Sequence, residues 1–220
     1  MSSTITTELV KELRDATGIS VMQCRKALEE ANGDMKTAMA ILKKNSSSIA
    51  AKKVDREAKD GAVMIASNNS KSIIVPLNCE TDFVSRNEDF TNLLSTLGQK
   101  AITDGVEAMK AGAKEMIDPI IQKTGENIQL GEVTEVNGEV LGNYVHNNKT
   151  AVVVSLEGGD KDLARDIAMH ITAMKPEYMH DGEVDAEARK MMTDIFTKEV
   201  AAIDKPEDIK KKMLDGKINT

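Results

Sequence analysis

Groups that could carry chemistry are plentiful in this chain but almost nowhere form a catalytic pattern. The 36 acidic residues are spread along all 220 positions, so pairing any two as general acid and base is arbitrary. His146, His170 and His180 have no metal-ligand spacing among themselves or with Cys24 and Cys79. His170 follows Ile167, Ala168 and Met169 in an amphipathic pattern and reads as a packed or half-exposed histidine. No GxxxxGKS/T phosphate loop, strand-linked GxGxxG, GxSxG or Cys–His nucleophile arrangement is present. No cofactor and no metal of the chain's own is called for. The exception is Asn78-Cys79-Glu80-Thr81-Asp82-Phe83-Val84-Ser85-Arg86, where a carboxylate and an aromatic ring adjoin at the exit of an apolar strand pattern. Periodicity alone offers a structural account: Thr81 or Asp82 caps the following helix and Phe83 packs beneath it as a hydrophobic staple. Any Ser, Thr, Asp or Asn can cap, so that account does not require the whole string.

Composition narrows the function classes. The aromatics are Phe83, Phe90, Phe196, Tyr144 and Tyr178, with no Trp. The core must be built from Leu, Ile, Val, Ala and many of the 13 Met. Successive bases of a single strand would have few rings to stack on. The net charge of −7 also lacks the basic footprint of a nucleic-acid binder. Local basic spots at Lys43-Lys44, Lys52-Lys53 with Arg56, and Lys210-Lys211-Lys212 read as solvated helix ends. Two cysteines without CxxC spacing fit a reducing compartment. Met1-Ser2-Ser3-Thr4-Ile5-Thr6 has no basic and then apolar leader pattern, and no apolar run approaches a membrane span. A cytoplasmic protein is expected.

The elements that must position the 78–86 string are legible from spacing. Residues 7–16 form a helix with Leu9, Val10 and Leu13 on one face and Gly18 beyond its end. A second helix follows Ser20, a candidate cap, with Val21, Cys24, Ala27, Leu28 and Ala31 at spacings of three and four. Asn32-Gly33 stops it, and Asp34 caps a third helix with Met35, Ala38, Met39, Ile41 and Leu42 inward. The serines at 46–48 read as a hinge, and the rest of 46–60 as a polar helical linker. Strands over 62–66 and 72–77, turned at Asn68-Asn69-Ser70, make a hairpin. Helical patterns follow over about 87–103 and 106–124, and Gly105, Gly112 and Gly125 look like stops. A further sheet region begins at 125–130, and strands over 140–146 and 150–156 turn at Asn147-Asn148-Lys149. A helix over 161–174 stops before Lys175-Pro176. Each half is a hairpin and then helix, and 184–215 is polar and helical. The class is α+β.

Two separated strings make the chain resemble translation elongation factor Ts. They are the 78–86 string and Leu13-Arg14-Asp15-Ala16-Thr17-Gly18-Ile19-Ser20-Val21-Met22-Gln23-Cys24-Arg25-Lys26-Ala27-Leu28. Glu30-Ala31-Asn32-Gly33-Asp34, Gly125-Glu126-Asn127-Ile128, Ala168-Met169-His170 and Lys175-Pro176-Glu177 support the match, which runs in order from residue 4 to about 216. The resemblance implies a three-helix module over 1–45 similar to ubiquitin-associated domains, a linker over 46–60, and a two-part core over 61–139 and 140–182. A helical extension over 183–220 completes it. It implies a guanine-nucleotide exchange factor, with no bond chemistry of its own, that docks along the GTPase elongation factor Tu. Asp82 and Phe83 match the pair that enters the GTPase beside its magnesium site, with Thr81 and Val84 as motif support. Arg14, Val21 and Met22 match positions that grip a helix of the GTPase domain, although periodicity alone equally makes Val21 and Met22 core residues. Tyr144 and His146 match a Tyr-x-His near another domain of the partner, a cross-strand pair being the competing account.

The pattern departs from the family at two places. Pro76 stands where an acidic residue is expected, and a proline belongs on an edge or strand end, so a less paired strand is expected. Family members continue past the point matching Asp215-Gly216-Lys217 with a further helical segment and a closing strand, whereas this chain ends at Thr220; an exposed edge on the second subdomain is the expectation. A helical adaptor without exchange activity is the alternative function, and it gives no reason for the 81–84 segment.

Overall fold

The computed structural model describes residues 5–218, so Met1 to Thr4, with most of the stretch read for a leader pattern, and Asn219-Thr220 lie outside the described residues. By contacts the chain divides into two compact units, Met1–Ala173 and Met174–Thr220. The first opens with α1 (Thr7–Thr17), where the Thr6 hydroxyl accepts from the Leu9 amide, and closes at Gly18 in the left-handed region. α2 (Val21–Glu30) and α3 (Met35–Ala51) follow. Asn32 and Gly33 both take positive φ between them, as the Asn-Gly stop requires. Asp34 caps α3 by accepting from the Thr37 amide at 2.7 Å. Leu13, Cys24, Leu28, Ala38 and Leu42 form the module's own core.

Three helix details differ from expectation. Ser20 occupies the cap position of α2, but its side chain accepts no capping bond. Met39 points out of the module, 42% exposed, because the inward stripe of α3 runs through Ala38, Leu42, Ser46 and Ala50. The serines at 46–48 are not a hinge, since α3 continues through them to Ala51. The Ser46 hydroxyl donates to the Lys43 carbonyl, which lets a polar residue be buried within the helix. Ala50 then joins the main core, so one unbroken helix links module and core. Only residues after Ala51 leave the helix, as turns and extended chain rather than the helical linker expected.

The core is a small antiparallel sheet under two long helices. β1 (Asp60–Ser67) pairs along its whole length with β2 (Lys71–Cys79). β2 also pairs with β3 (Gln129–Leu130) through Leu77 and Asn78, and with β4 (Thr134–Asn137) through residues 71–74. Pro76 therefore lies inside a central strand, and the expectation of a poorly paired strand fails for a geometric reason. The Val63 amide donates to the Asn148 carbonyl, so Val63 and Pro76 face each other without exchanging hydrogen bonds. The ring nitrogen of Pro76 then faces away from β1, toward the segment between β3 and β4. Its carbonyl still accepts from Gly131.

α5 (Glu88–Asp104) and α6 (Val106–Thr124) pack on this sheet, burying Phe90, Leu93, Leu97, Met109, Ile117 and Ile121 against Ile73, Val75 and Leu77. Each fully buried side chain of this size stabilises by about 1.5–3 kcal/mol relative to exposure. Gly105 and Gly125 end the helices as expected, but Gly112 lies inside α6. β5 (Val140–His146) and β6 (Thr150–Leu156) form a separate two-stranded sheet, turned by Asn147 and Asn148 at φ 50° and 55°. α7 (Lys161–Met174) packs so closely on β5 that a Cβ built on Gly142 would fall 2.1 Å from the Ala164 carbonyl carbon. The second unit contains α8 (Ala186–Ala201) and α9 (Glu207–Ile218), joined by a Lys217–Glu199 ion pair and by Lys217 over the Phe196 ring.

Candidate functional site

The 78–86 string leaves β2 and folds at once into α4 (Asp82–Ser85), a helix of four residues. So short a helix has little stability of its own, because nucleation orders several residues for few hydrogen bonds. It is held at its inner face, where Ser85 is buried and Val84 packs against the main core. Phe83 points the other way and is 84% exposed, while the other ring of the region, Phe90, is fully covered. The staple account of Phe83 is thereby corrected: Phe90 in α5 takes a place in the core instead. The capping account is corrected too. Thr81 sits at the cap position of α4 but makes no capping bond. Its hydroxyl donates to Glu126 Oε1 at 2.6 Å, and Asn87 caps α5 by accepting from the Asp89 amide.

The ion pair beside the exposed ring is labile. Asp82 pairs with Arg86 at 3.1 Å one turn on, both side chains largely exposed, so the pair contributes at most about 1 kcal/mol. The Asp82 carboxylate can leave that partner cheaply for another. Beneath the turn, Lys149 donates to Asp60 Oδ1 and the Gly61 carbonyl, both at 2.6 Å, and to Ser85 Oγ at 3.4 Å. The Lys149 hydrogen bond, with the Gly61 amide second, brings the Asp60 carboxyl down to about 2. The Cys79 thiol, at the end of β2, is pushed up to about 11, chiefly by burial and then by Asp60 and Glu126. A thiol so protonated is no nucleophile near neutral pH. Among the described residues, no group of three or more His, Cys, Asp and Glu is placed to hold a metal ion.

The other sequence-chosen residues fall on two further surfaces. Val21 and Met22 are exposed at the start of α2, Met22 by 76%, which removes the core alternative for both. Arg14 is exposed on the last turn of α1. This tip of the module is tied to the core by a Gln122–Gln23 hydrogen bond and by Lys123, whose stem crosses Gly18 while its ammonium pairs with Asp89 in the first turn of α5. Tyr144 and His146 lie on one strand, and the Tyr144 hydroxyl meets His146 Nδ1 at 3.0 Å. Their contact runs along β5; the cross-strand neighbours are Val152 and Thr150. His170 is exposed on α7.

The chain as a whole is similar to a recognisable protein family. The family model described as "Elongation factor TS" matches residues 80–220, which begins at the strand exit just described. Elongation factor Ts of Hahella chejuensis is 40% identical over 222 residues, covering 98% of this chain and 78% of that protein. The corresponding proteins of Cellvibrio japonicus and Photorhabdus laumondii are 41% and 38% identical, each covering 99% of this chain and 77% and 78% of their own lengths. The chain belongs to the elongation factor Ts family. It is a translation elongation factor, with the α+β architecture expected of that family. No described helix is long and apolar enough to cross a membrane.

Sequence reasoning missed two residues that hold the site. Glu126 accepts from the amides of Glu80 and Thr81 as well as the Thr81 hydroxyl. The only sequence signal was its place in Gly125-Glu126-Asn127-Ile128, one of the supporting matches. Lys149 had no signal beyond its position in a hairpin turn.

Proposed function

We propose that this chain is a guanine-nucleotide exchange factor for elongation factor Tu, acting in the cytoplasm and making or breaking no covalent bond. The observation that carries the reading is Phe83, a large ring left in solvent beside a lightly held carboxylate on a turn otherwise anchored to the core. A folded protein gains nothing from exposing a phenyl ring there, whereas a partner that buries it gains both area and a directed carboxylate. Asp82 and Phe83 form a wedge that enters the GTPase beside its magnesium site. Magnesium demands near-ideal octahedral geometry, so small shifts of the helices and waters that support it weaken nucleotide binding. Arg14, Val21 and Met22 grip the GTPase domain, and Tyr144 with His146 meets a second domain.

Linkage gives the mechanism its direction. If the chain weakens nucleotide binding by some factor, nucleotide weakens binding of the chain by the same factor. The ternary complex therefore resolves either way, and the prevailing excess of GTP decides the outcome. The test is release of labelled GDP from elongation factor Tu with and without the chain. Acceleration that saturates with chain concentration is expected; an unchanged rate at saturating chain would overturn the reading. A helical adaptor binding the GTPase without exchange activity would give that second result.

A further inference from the structure

We propose that Glu126 and Lys149 are positioning residues, two jaws that hold the α4 turn so that Asp82 and Phe83 present a fixed wedge. The inference rests on the exchange reading above and deepens it. α4 cannot align itself: its backbone bonds are Ser85 N–H to Thr81 and Arg86 N–H to Asp82, both 3.2 Å, with Asn87 N–H to Val84. Apart from the exposed Asp82–Arg86 pair and the Ser85 hydroxyl bond to the Asp82 carbonyl, the polar contacts that fix its direction come from distant chain.

The front jaw is a carboxylate. Glu126, in the loop after α6, receives the Glu80 amide at 3.1 Å, the Thr81 amide at 3.0 Å and the Thr81 hydroxyl at 2.6 Å, across 45 or 46 residues of sequence. Hydrogen bonds to an ionised acceptor are the stronger kind, and three on one carboxylate fix orientation as well as distance. The bond is reciprocated, because the Glu80 carboxylate accepts from the Asn127 amide and from Arg56. The strand exit is thus locked to the 125–127 loop in both directions immediately before the wedge.

The rear jaw is an ammonium. Lys149 reaches Ser85 Oγ from 64 residues away, and the Ser85 hydroxyl itself donates to the Asp82 carbonyl at 3.1 Å. Lys149 is aimed by the Asn147-Asn148 turn, whose Asn148 carbonyl accepts the Val63 amide at 2.8 Å. Its remaining bonds to Asp60 and Gly61 anchor it on β1. The front jaw comes from the loop after α6 and the rear jaw from the turn between β5 and β6, and they hold opposite ends of the α4 turn, Thr81 at one and Ser85 at the other. That is what a protein needs if a ring must enter a partner at one angle, because preorganised contacts remove ordering costs from the bound state.

The test uses the full chain and separates positioning from mere stability. Glu126→Ala and Lys149→Met remove the jaws, while Glu126→Gln and Lys149→Arg keep an acceptor or donor in place. The first pair is expected to lower the plateau rate of stimulated GDP release roughly three- to thirtyfold, below the ~100-fold that an ångström of misplacement can cause. The half-saturating concentration should change less than about twofold, since the outlying contacts are intact. The conservative pair should restore most of the plateau. In the free chain, amide hydrogen exchange over residues 83–87 should accelerate in the first pair while the rest of β2 is unchanged. Phe83→Ala is measured alongside. If the parent chain gives no stimulated release, the exchange reading fails; if it does but Phe83→Ala leaves the plateau at wild type, the wedge role of Phe83 fails and the positioning inference with it. If Phe83→Ala lowers it but both jaw variants keep a wild-type plateau, the positioning inference alone is overturned. A jaw variant that loses stability yet shows a wild-type plateau under folded conditions also overturns it.

Discussion

At Asp82 and Phe83 the structure separates two demands that usually conflict, anchoring a turn and exposing its tip. Val84 and Ser85 do the anchoring, so truncating the tip should leave the fold intact. Asp82→Ala and Phe83→Ala are each expected to slow stimulated GDP release about five- to thirtyfold, a coupling loss of about 1–2 kcal/mol. Thermal melts of both should match the parent within about 2 °C, because surface truncations away from buried contacts change little. Asp60 makes a different prediction. Its carboxyl is lowered to about 2 by Lys149, so its contribution to stability is present in full above the ordinary carboxylate range of about 4. It is lost as pH falls from about 4 through 2. Acid denaturation of Lys149→Met should therefore show a shallower dependence over that window than the parent, read by far-ultraviolet circular dichroism. The sequence exposed Asp82 and Phe83 through a motif, but it could not show that Phe83 faces water. Any ring after a strand is compatible with a staple, and it is the exposure of Phe83, with Phe90 taking a place in the core, that decides between them.

At the scale of elements, periodicity carried much further. The boundaries of α5, α6, β5, β6 and α7 follow from apolar spacing and from Gly105, Gly125 and the Asn147-Asn148 turn. Two of the failures share a cause, since each concerns a residue whose partner is remote in sequence. The serines at 46–48 look like a hinge until Ala50 is seen to enter the main core, which keeps α3 helical through them. Pro76 looks like an edge residue until β3 and β4 are seen to pair with β2 on either side of it. Gly142 belongs with these, since its absent Cβ is explained only by the backbone of Ala164 in α7. Gly142→Ala must push α7 off β5 or distort the strand, and a loss of about 2–3 kcal/mol is expected. Urea denaturation would measure it, and a loss below about 0.5 kcal/mol would show that α7 can shift freely.

For the whole first unit, the two cores predict unequal stability. The module core is built from α1, α2 and the first half of α3, and the main core from the sheet with α5 and α6. They are joined by the continuous α3 and by the Gln23–Gln122 and Gly18–Lys123 contacts. A core of small and medium side chains from some forty residues is marginal alone. Native-state hydrogen exchange should therefore resolve two classes, with α1 and α2 opening at lower free energy than β2 and α5. A single class spanning both would mean that the contacts through α3, Gln122 and Lys123 couple the cores completely. In either case Arg14, Val21 and Met22 ride on a body whose opening can be measured separately from that of the wedge.

Phe83 has one more consequence, and it is optical. The chain contains no Trp and only two Tyr, so it is nearly dark to excitation at the red edge of protein absorbance. Phe83→Trp would place a single indole at an almost fully exposed tip, with no background emission from elsewhere in the chain. Its spectrum should begin near that of indole in water and shift to the blue as a partner closes over it. The entry of the ring could then be timed directly against the departure of the nucleotide.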